Sequence, residues 1–145
     1  MEIKIKKLCS KAKIPQRATS GSAGMDLYAC IDEEIMINPG QLVMVPTGIS
    51  VELPTNDCGL FLFARSGLAA KHGITLSNGV GVVDSDYRGE IKIALCNISN
   101  KPYTITPFER IAQMVVMPVF SVLVTEVSEL EQTKRGEGGF GSTGI

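Results

Sequence analysis

At 145 residues, 44% hydrophobic and with a formal net charge of -1, the chain is sized for one folded domain and has no general attraction for nucleic acid or anionic membrane. No apolar run approaches the roughly 18 residues of a membrane span. The N-terminal Met1-Glu2-Ile3-Lys4-Ile5 alternates instead of forming a signal-peptide core, so a cytoplasmic location is expected. Cys9, Cys30, Cys58 and Cys96 are widely separated and the chain has a single histidine, so neither a zinc site nor a disulfide framework is expected. The four cysteines read as ordinary reduced thiols.

In chain order the periodicity is two nearly everywhere. Ile3/Ile5, Met25/Leu27, Ile35/Ile37, Leu42 to Val45, Ile49/Val51, Leu60 to Phe63 and Ile74/Leu76 are short apolar or alternating runs bounded by Gly, Pro, Asn or Asp. Arg65-Ser66-Gly67-Leu68-Ala69-Ala70-Lys71-His72-Gly73 breaks that pattern. Ser66 as N-cap, an Ala/Leu body, cations at the end and Gly73 as the stop predict one short helix over about residues 66–72. Its start, with the Gly67 N–H, the Ser66 hydroxyl and the Arg65 guanidinium, reads either as a phosphate site or as a plain capped helix. His72 suits the negative end of the helix dipole better than it suits catalysis.

Next, Ser77 to Ile93 reads as a β-hairpin, with Val80, Val82 and Val83 on one arm, Ile91 and Ile93 on the other, and Asp84-Ser85-Asp86 at the bend. Gly79 and Gly81 inside a strand pattern mark a bulge or a place where another molecule nears the backbone, which makes the hairpin a candidate binding wall. The alternative is a tight acidic surface turn. Ala94 to Ile98, Tyr103/Ile105, Ile111 to Val116 and Phe120 to Val124 continue the strand series. So many short strands predict an all-β fold, a jelly-roll-like β-barrel or sandwich, over residues 1–132. Residues 133–145 form a glycine-rich arm, read either as a frayed terminus or as a lid in which Phe140 stacks on a planar ring while Arg135, Ser142 and Thr143 reach phosphates.

Five stretches carry a resemblance: Ala23-Gly24-Met25-Asp26-Leu27, Arg65-Ser66-Gly67-Leu68-Ala69, Gly81 to Gly89, Arg110-Ile111-Ala112-Gln113-Met114 and Arg135 to Gly144. In order and spacing they are similar to the five motifs of the trimeric deoxyuridine triphosphatases, with Ala64 standing where the second motif usually has proline. The resemblance implies a jelly-roll-like subunit in a homotrimer whose active sites lie between subunits. The reaction it implies is attack of water on the α-phosphorus of dUTP, giving dUMP and pyrophosphate, with Mg2+ arriving on the triphosphate. That activity would limit uracil incorporation into DNA and supply dUMP for thymidylate synthesis.

By the same resemblance Asp84 is the general base and Asp26 anchors the metal through water. Arg65, Ser66, Gly67 and Gln113 grip the phosphates. Asn78 and main-chain groups near Val82, Val83 and Lys92 read uracil, Tyr87 packs on the deoxyribose, and Arg135, Phe140, Ser142 and Thr143 close the site. Arg110 supports the framework. Two alternatives stay open: a dCTP deaminase relative, against which Ala94 stands where that family has a glutamate, and a nucleotide-sensing regulatory trimer.

Overall fold

The computed structural model describes residues 2–139. Within them the alternating segments form β1 (Lys4–Lys7), β2 (Met25–Tyr28), β3 (Ile35–Ile37), β4 (Leu42–Pro46), β5 (Ile49–Glu52), β6 (Cys58–Ala64), β7 (Ile74–Leu76), β8 (Gly81–Val83), β9 (Lys92–Asn97), β10 (Tyr103–Ile105) and β11 (Arg110–Pro118), with the helix α1 (Ser66–His72) between β6 and β7. All ladders are antiparallel. The sheets run β2-β11-β6-β8, β4-β9-β7, β1-β5 and β10-β3, an order far from sequential, as a jelly roll requires. One face of each strand turns inward. Leu27, Ile37, Val45, Leu60, Ile93, Leu95, Ile105 and Met114 are fully buried in a single cluster.

Buried polar groups in that core are paired. The Asn97 side chain donates to the Ile37 carbonyl at 2.9 Å and the Lys101 carbonyl at 2.7 Å, and its oxygen accepts from the Ser99 backbone N–H at 2.9 Å and the Ser99 hydroxyl at 2.8 Å. A buried amide so satisfied fixes the β9–β10 connection. Beside it the half-buried Tyr103 hydroxyl donates to Glu109 Oε1 at 2.6 Å, and its ring packs on His72 at 4.8 Å. Burial first, and then the Glu109 carboxylate, push the Tyr103 phenol well above its ordinary value. A group raised on folding contributes stability that is intact below its unfolded value and lost as pH climbs above it. Tyr103→Phe is therefore expected to lose about 1 to 2 kcal/mol near neutral pH, measured by urea unfolding, and to lack the Tyr103 share of the fall in stability expected of the parent protein above about pH 10.

Three expectations are corrected. The first concerns Ser66, which opens the helix without capping it. Arg65 is the N-cap residue, with extended backbone (φ -83, ψ 127) and no side-chain cap bond. At the other end Gly73 closes the helix in the left-handed region (φ 66), as expected.

The second concerns Ser77 to Ile93, whose arms do not pair with each other. β8 lies on β6, with Leu60 opposite Val83 and Leu62 opposite Gly81, whereas β9 lies between β4 and β7, with Ile74 opposite Asn97. The hairpin proper is β7–β9, and β8 is an excursion from its loop onto the other sheet. The turn at Asp84 is real, since the Tyr87 N–H donates to the Asp84 carbonyl at 3.2 Å, but it redirects the chain between layers.

The third concerns Phe120 to Val124, which is not a strand. It lies exposed, Leu123 at 99% and Val124 at 93%, because no strand edge among the described residues meets it.

Candidate functional site

Between the diverging β8 and β9 lies an open cleft of about 350 Å³. It is lined by Asn78, Gly81, Val82, Val83, Asp84, Tyr87, Glu90, Ile91 and Lys92, all from the Ser77 to Ile93 stretch, and also by Met44 and Leu62. β8 is the edge strand of its sheet, so the main-chain donors and acceptors on its outer side have no strand partner among the described residues. An edge of that kind can pair with a planar ring carrying its own row of donors and acceptors.

Of the two glycines near this wall, one serves the protein's own packing. A Cβ at Gly81 would come within 2.9 Å of the Leu62 side chain, and Gly79 is in the left-handed region (φ 71) with open space around it. Gly81 thus lets β8 lie against β6.

Tyr87 stands 46% exposed at the cleft, its hydroxyl donating to the Glu90 carbonyl at 3.1 Å. Glu90 in turn accepts the Gly48 N–H on Oε1 at 2.9 Å and lies 3.7 Å from Lys92 Nζ. It thus pins the loop after β8 to the β4–β5 turn. Sequence reasoning did not single out Glu90; a carboxylate directly before Ile91, a buried residue at the entry to β9, was the available signal. Asp84 is exposed at the end of β8, beside Ser85, whose hydroxyl donates to Asn56 at 3.1 Å.

The second group of predicted residues sits elsewhere. β11 lies between β2 and β6, which puts Gln113 opposite both Asp26 and Phe63. The Gln113 amide donates to the Ala64 carbonyl at 3.0 Å. Asp26 is mostly buried and accepts from two guanidiniums, Arg65 Nε at 2.9 Å on one oxygen and Arg110 Nη1 at 3.1 Å on the other. Arg65 Nη1 also donates to the Arg110 carbonyl at 3.0 Å. These bonds use two of the five Arg65 N–H groups, and the residue itself stands at the N-cap of α1, directly before Ser66 and Gly67. The Arg65 guanidinium is therefore held in place from two sides by the protein itself.

In one chain these two groups do not meet. Asp84 follows Val83, which pairs with Leu60 near the start of β6, while Arg65 and Ser66 follow its end. At about 3.3 Å per strand residue they are roughly 20 Å apart. Of the predicted arm, Arg135 is exposed and donates through Nε to the Gly138 carbonyl at 2.7 Å. Phe140, Ser142 and Thr143 lie outside the described residues. No three His, Cys, Asp or Glu side chains converge as a metal cage among the described residues, and no helix there is long and apolar enough to cross a membrane.

A family model described as dUTPase matches residues 10–144. A deoxyuridine 5'-triphosphate nucleotidohydrolase of Desulfitobacterium hafniense is 54% identical over 92% of this chain and 88% of its own. One from Neisseria meningitidis is 52% identical over 91% of this chain and 88% of its own. Among solved structures, a mutant dUTPase of Staphylococcus bacteriophage 80alpha with dUpNHpp superimposes with a TM-score of 0.88 at 25% identity, covering 99% of both chains.

Proposed function

The chain belongs to the dUTPase family, and from that premise we propose how its two half-sites carry out the reaction. It hydrolyses dUTP to dUMP and pyrophosphate, an activity that keeps uracil out of DNA and yields dUMP for thymidylate synthesis. The observation that carries the mechanism is the separation of Asp84 from the Arg65 cradle on opposite ends of β6. One dUTP can touch both only if they come from different chains. A homotrimer with sites at its seams supplies that, and the exposed run from Phe120 to Leu130, with Phe120 at 85% and Leu130 at 84%, is apolar surface for a second copy to cover.

Uracil enters the β8–β9 cleft, where the free edge of β8 near Val82 and Val83, the main chain at Lys92 and the Asn78 amide match its two carbonyls and N3–H. Cytosine presents the opposite order at N3 and C4. Asp84 accepts a hydrogen bond from water and takes its proton as the water attacks the α-phosphorus. Arg65, the Ser66 hydroxyl, the Gly67 N–H and Gln113 of a neighbouring chain hold the phosphates as charge moves onto pyrophosphate. The arm, residues 133–145, closes the site with Arg135, Phe140, Ser142 and Thr143.

The donor set fits a Mg2+ that comes on the triphosphate and keeps its waters, with Asp26 as an anchor through water on the lone pairs its two arginines leave free. Bound there, the ion neutralises charge on the phosphate oxygens. Ala94 offers no carboxylate for deamination. A cytoplasmic location accords with a nucleotide substrate.

Incubation with Mg2+ and each of dUTP, dCTP, dTTP and UTP, assaying pyrophosphate and ammonia together, tests the reading. Pyrophosphate from dUTP alone is expected; ammonia from dCTP or binding without turnover overturns it. Tyr87→Ala is expected to raise UTP hydrolysis relative to dUTP by about tenfold or more, because the ring held by Glu90 no longer excludes a 2'-hydroxyl. An unchanged ratio removes Tyr87 from sugar selection.

A further inference from the structure

The four cysteines do not all stand apart. Cys9, in the turn after β1, and Cys30, just beyond β2, are both half-buried, and their sulfurs are 3.0 Å apart. The surrounding backbone holds them there. Leu8 donates its N–H to the Gly48 carbonyl at 2.8 Å, and Cys30 donates its N–H to the Pro46 carbonyl at 2.8 Å, so both segments hang from the same β4–β5 turn. Gly48 forms the floor of the pair. A Cβ there would come within 2.6 Å of Cys30 Sγ and 2.9 Å of the Ala12 methyl, and its φ of 70 is itself a glycine conformation. No other sulfur pair is hydrogen-bonded among the described residues; Cys58 instead contacts the Thr55 carbonyl at 3.3 Å.

We propose that Cys9 and Cys30, brought into sulfur contact over Gly48, are a redox-active dithiol that reacts with low-molecular-weight disulfides and closes to an intramolecular disulfide. The two sulfurs have different parts. Cys30, acting through its hydrogen bond, holds the Cys9 thiol below its ordinary value, and the Lys11 charge acts in the same direction. Burial first, then the Cys9 contact, push Cys30 up to about 11. Cys9 is accordingly the attacking thiolate and Cys30 the resolving thiol.

In the first step Cys9 S⁻ attacks one sulfur of the disulfide RSSR, forming Cys9–S–S–R and releasing RS⁻, which takes the Cys30 proton. In the second, Cys30 S⁻ attacks Cys9 Sγ, the Cys9–Cys30 bond forms and a second RS⁻ leaves, taking up the proton Cys9 gave to solvent. Two electrons pass from the protein to RSSR, which becomes two RSH.

The full-length native protein, treated with hydroxyethyl disulfide, then alkylated and digested without reduction, provides the test. Cys9 and Cys30 should lose alkylation together and appear as one linked peptide from a single chain, while Cys58 and Cys96 remain alkylated. Cys30→Ser should accumulate a stable mercaptoethanol adduct on Cys9, since nothing resolves it, and Cys9→Ser should form no linked peptide. Should Cys30→Ser fold poorly, Cys30→Ala gives the same readout. The proposal is overturned if Cys9 and Cys30 stay as alkylatable as Cys58 and Cys96, if Cys9 links to another chain, or if the resolving-thiol variant carries no adduct on Cys9.

Discussion

Asp84→Asn protein is expected to turn over dUTP about two to four orders of magnitude more slowly than the parent, with KM within a fewfold. The substitution keeps the shape of the side chain and removes only its capacity to accept a proton. The free edge of β8 precedes it, and the Asp84 carbonyl that holds the Tyr87 N–H at 3.2 Å belongs to the backbone, so neither the wall proposed for uracil nor the turn depends on the carboxylate. Loss of turnover without loss of binding is the signature of a group acting on the transition state. Asp86→Asn provides the control, since Asp86 is also exposed in this turn but does not line the cleft. A rate within tenfold of the parent for Asp84→Asn, or an equal loss for Asp86→Asn, would assign the proton to another group.

How far the sequence anticipates this site depends on whether the physics is local. Alternation of apolar residues marks strands, and the marks at Met25/Leu27, Ile74/Leu76 and Ile111 to Val116 fall on β2, β7 and β11. Alternation does not say which edge a strand will join. β8 looks like the partner of β9 because a turn lies between them, yet its register is taken by Leu60 to Leu62 of β6. The Phe120 to Val124 run shows the same gap. Its apolar pattern is that of a strand, and it pairs with no strand among the described residues.

Capping went wrong for a related reason, since Ser66 has the right side chain but Arg65 has the non-helical backbone. The Cys9–Cys30 contact was hidden by the length of chain between them and by the absence of any spacing motif. The motif around Asp26 is legible in the sequence, but the grip of Asp26 on Arg65 and Arg110 becomes visible only when β2, β11 and β6 lie side by side.

The separation along β6 gives a second large effect, which appears only in mixtures. Arg65→Ala chains should be slowed by about 10² to 10³, having lost the guanidinium proposed to hold the leaving phosphates, and Asp84→Asn chains should be slowed as above. The Arg65 variant should still fold, because Asp26 keeps its 3.1 Å pairing with Arg110. If each site draws Asp84 from one chain and Arg65 from its neighbour, equal amounts of the two variants, unfolded together and refolded, regenerate intact sites. Random assembly places an intact Asp84 against an intact Arg65 in about one quarter of them, so the mixture should recover roughly a quarter of the parent activity although neither component is active alone. Were both residues of a site supplied by one chain, every site in the mixture would carry a lesion and activity would stay at the level of the components. Roughly 20 Å of intervening strand argues for recovery, and a mixture as inactive as its parts would show that Asp84 and Arg65 reach one substrate within a single chain.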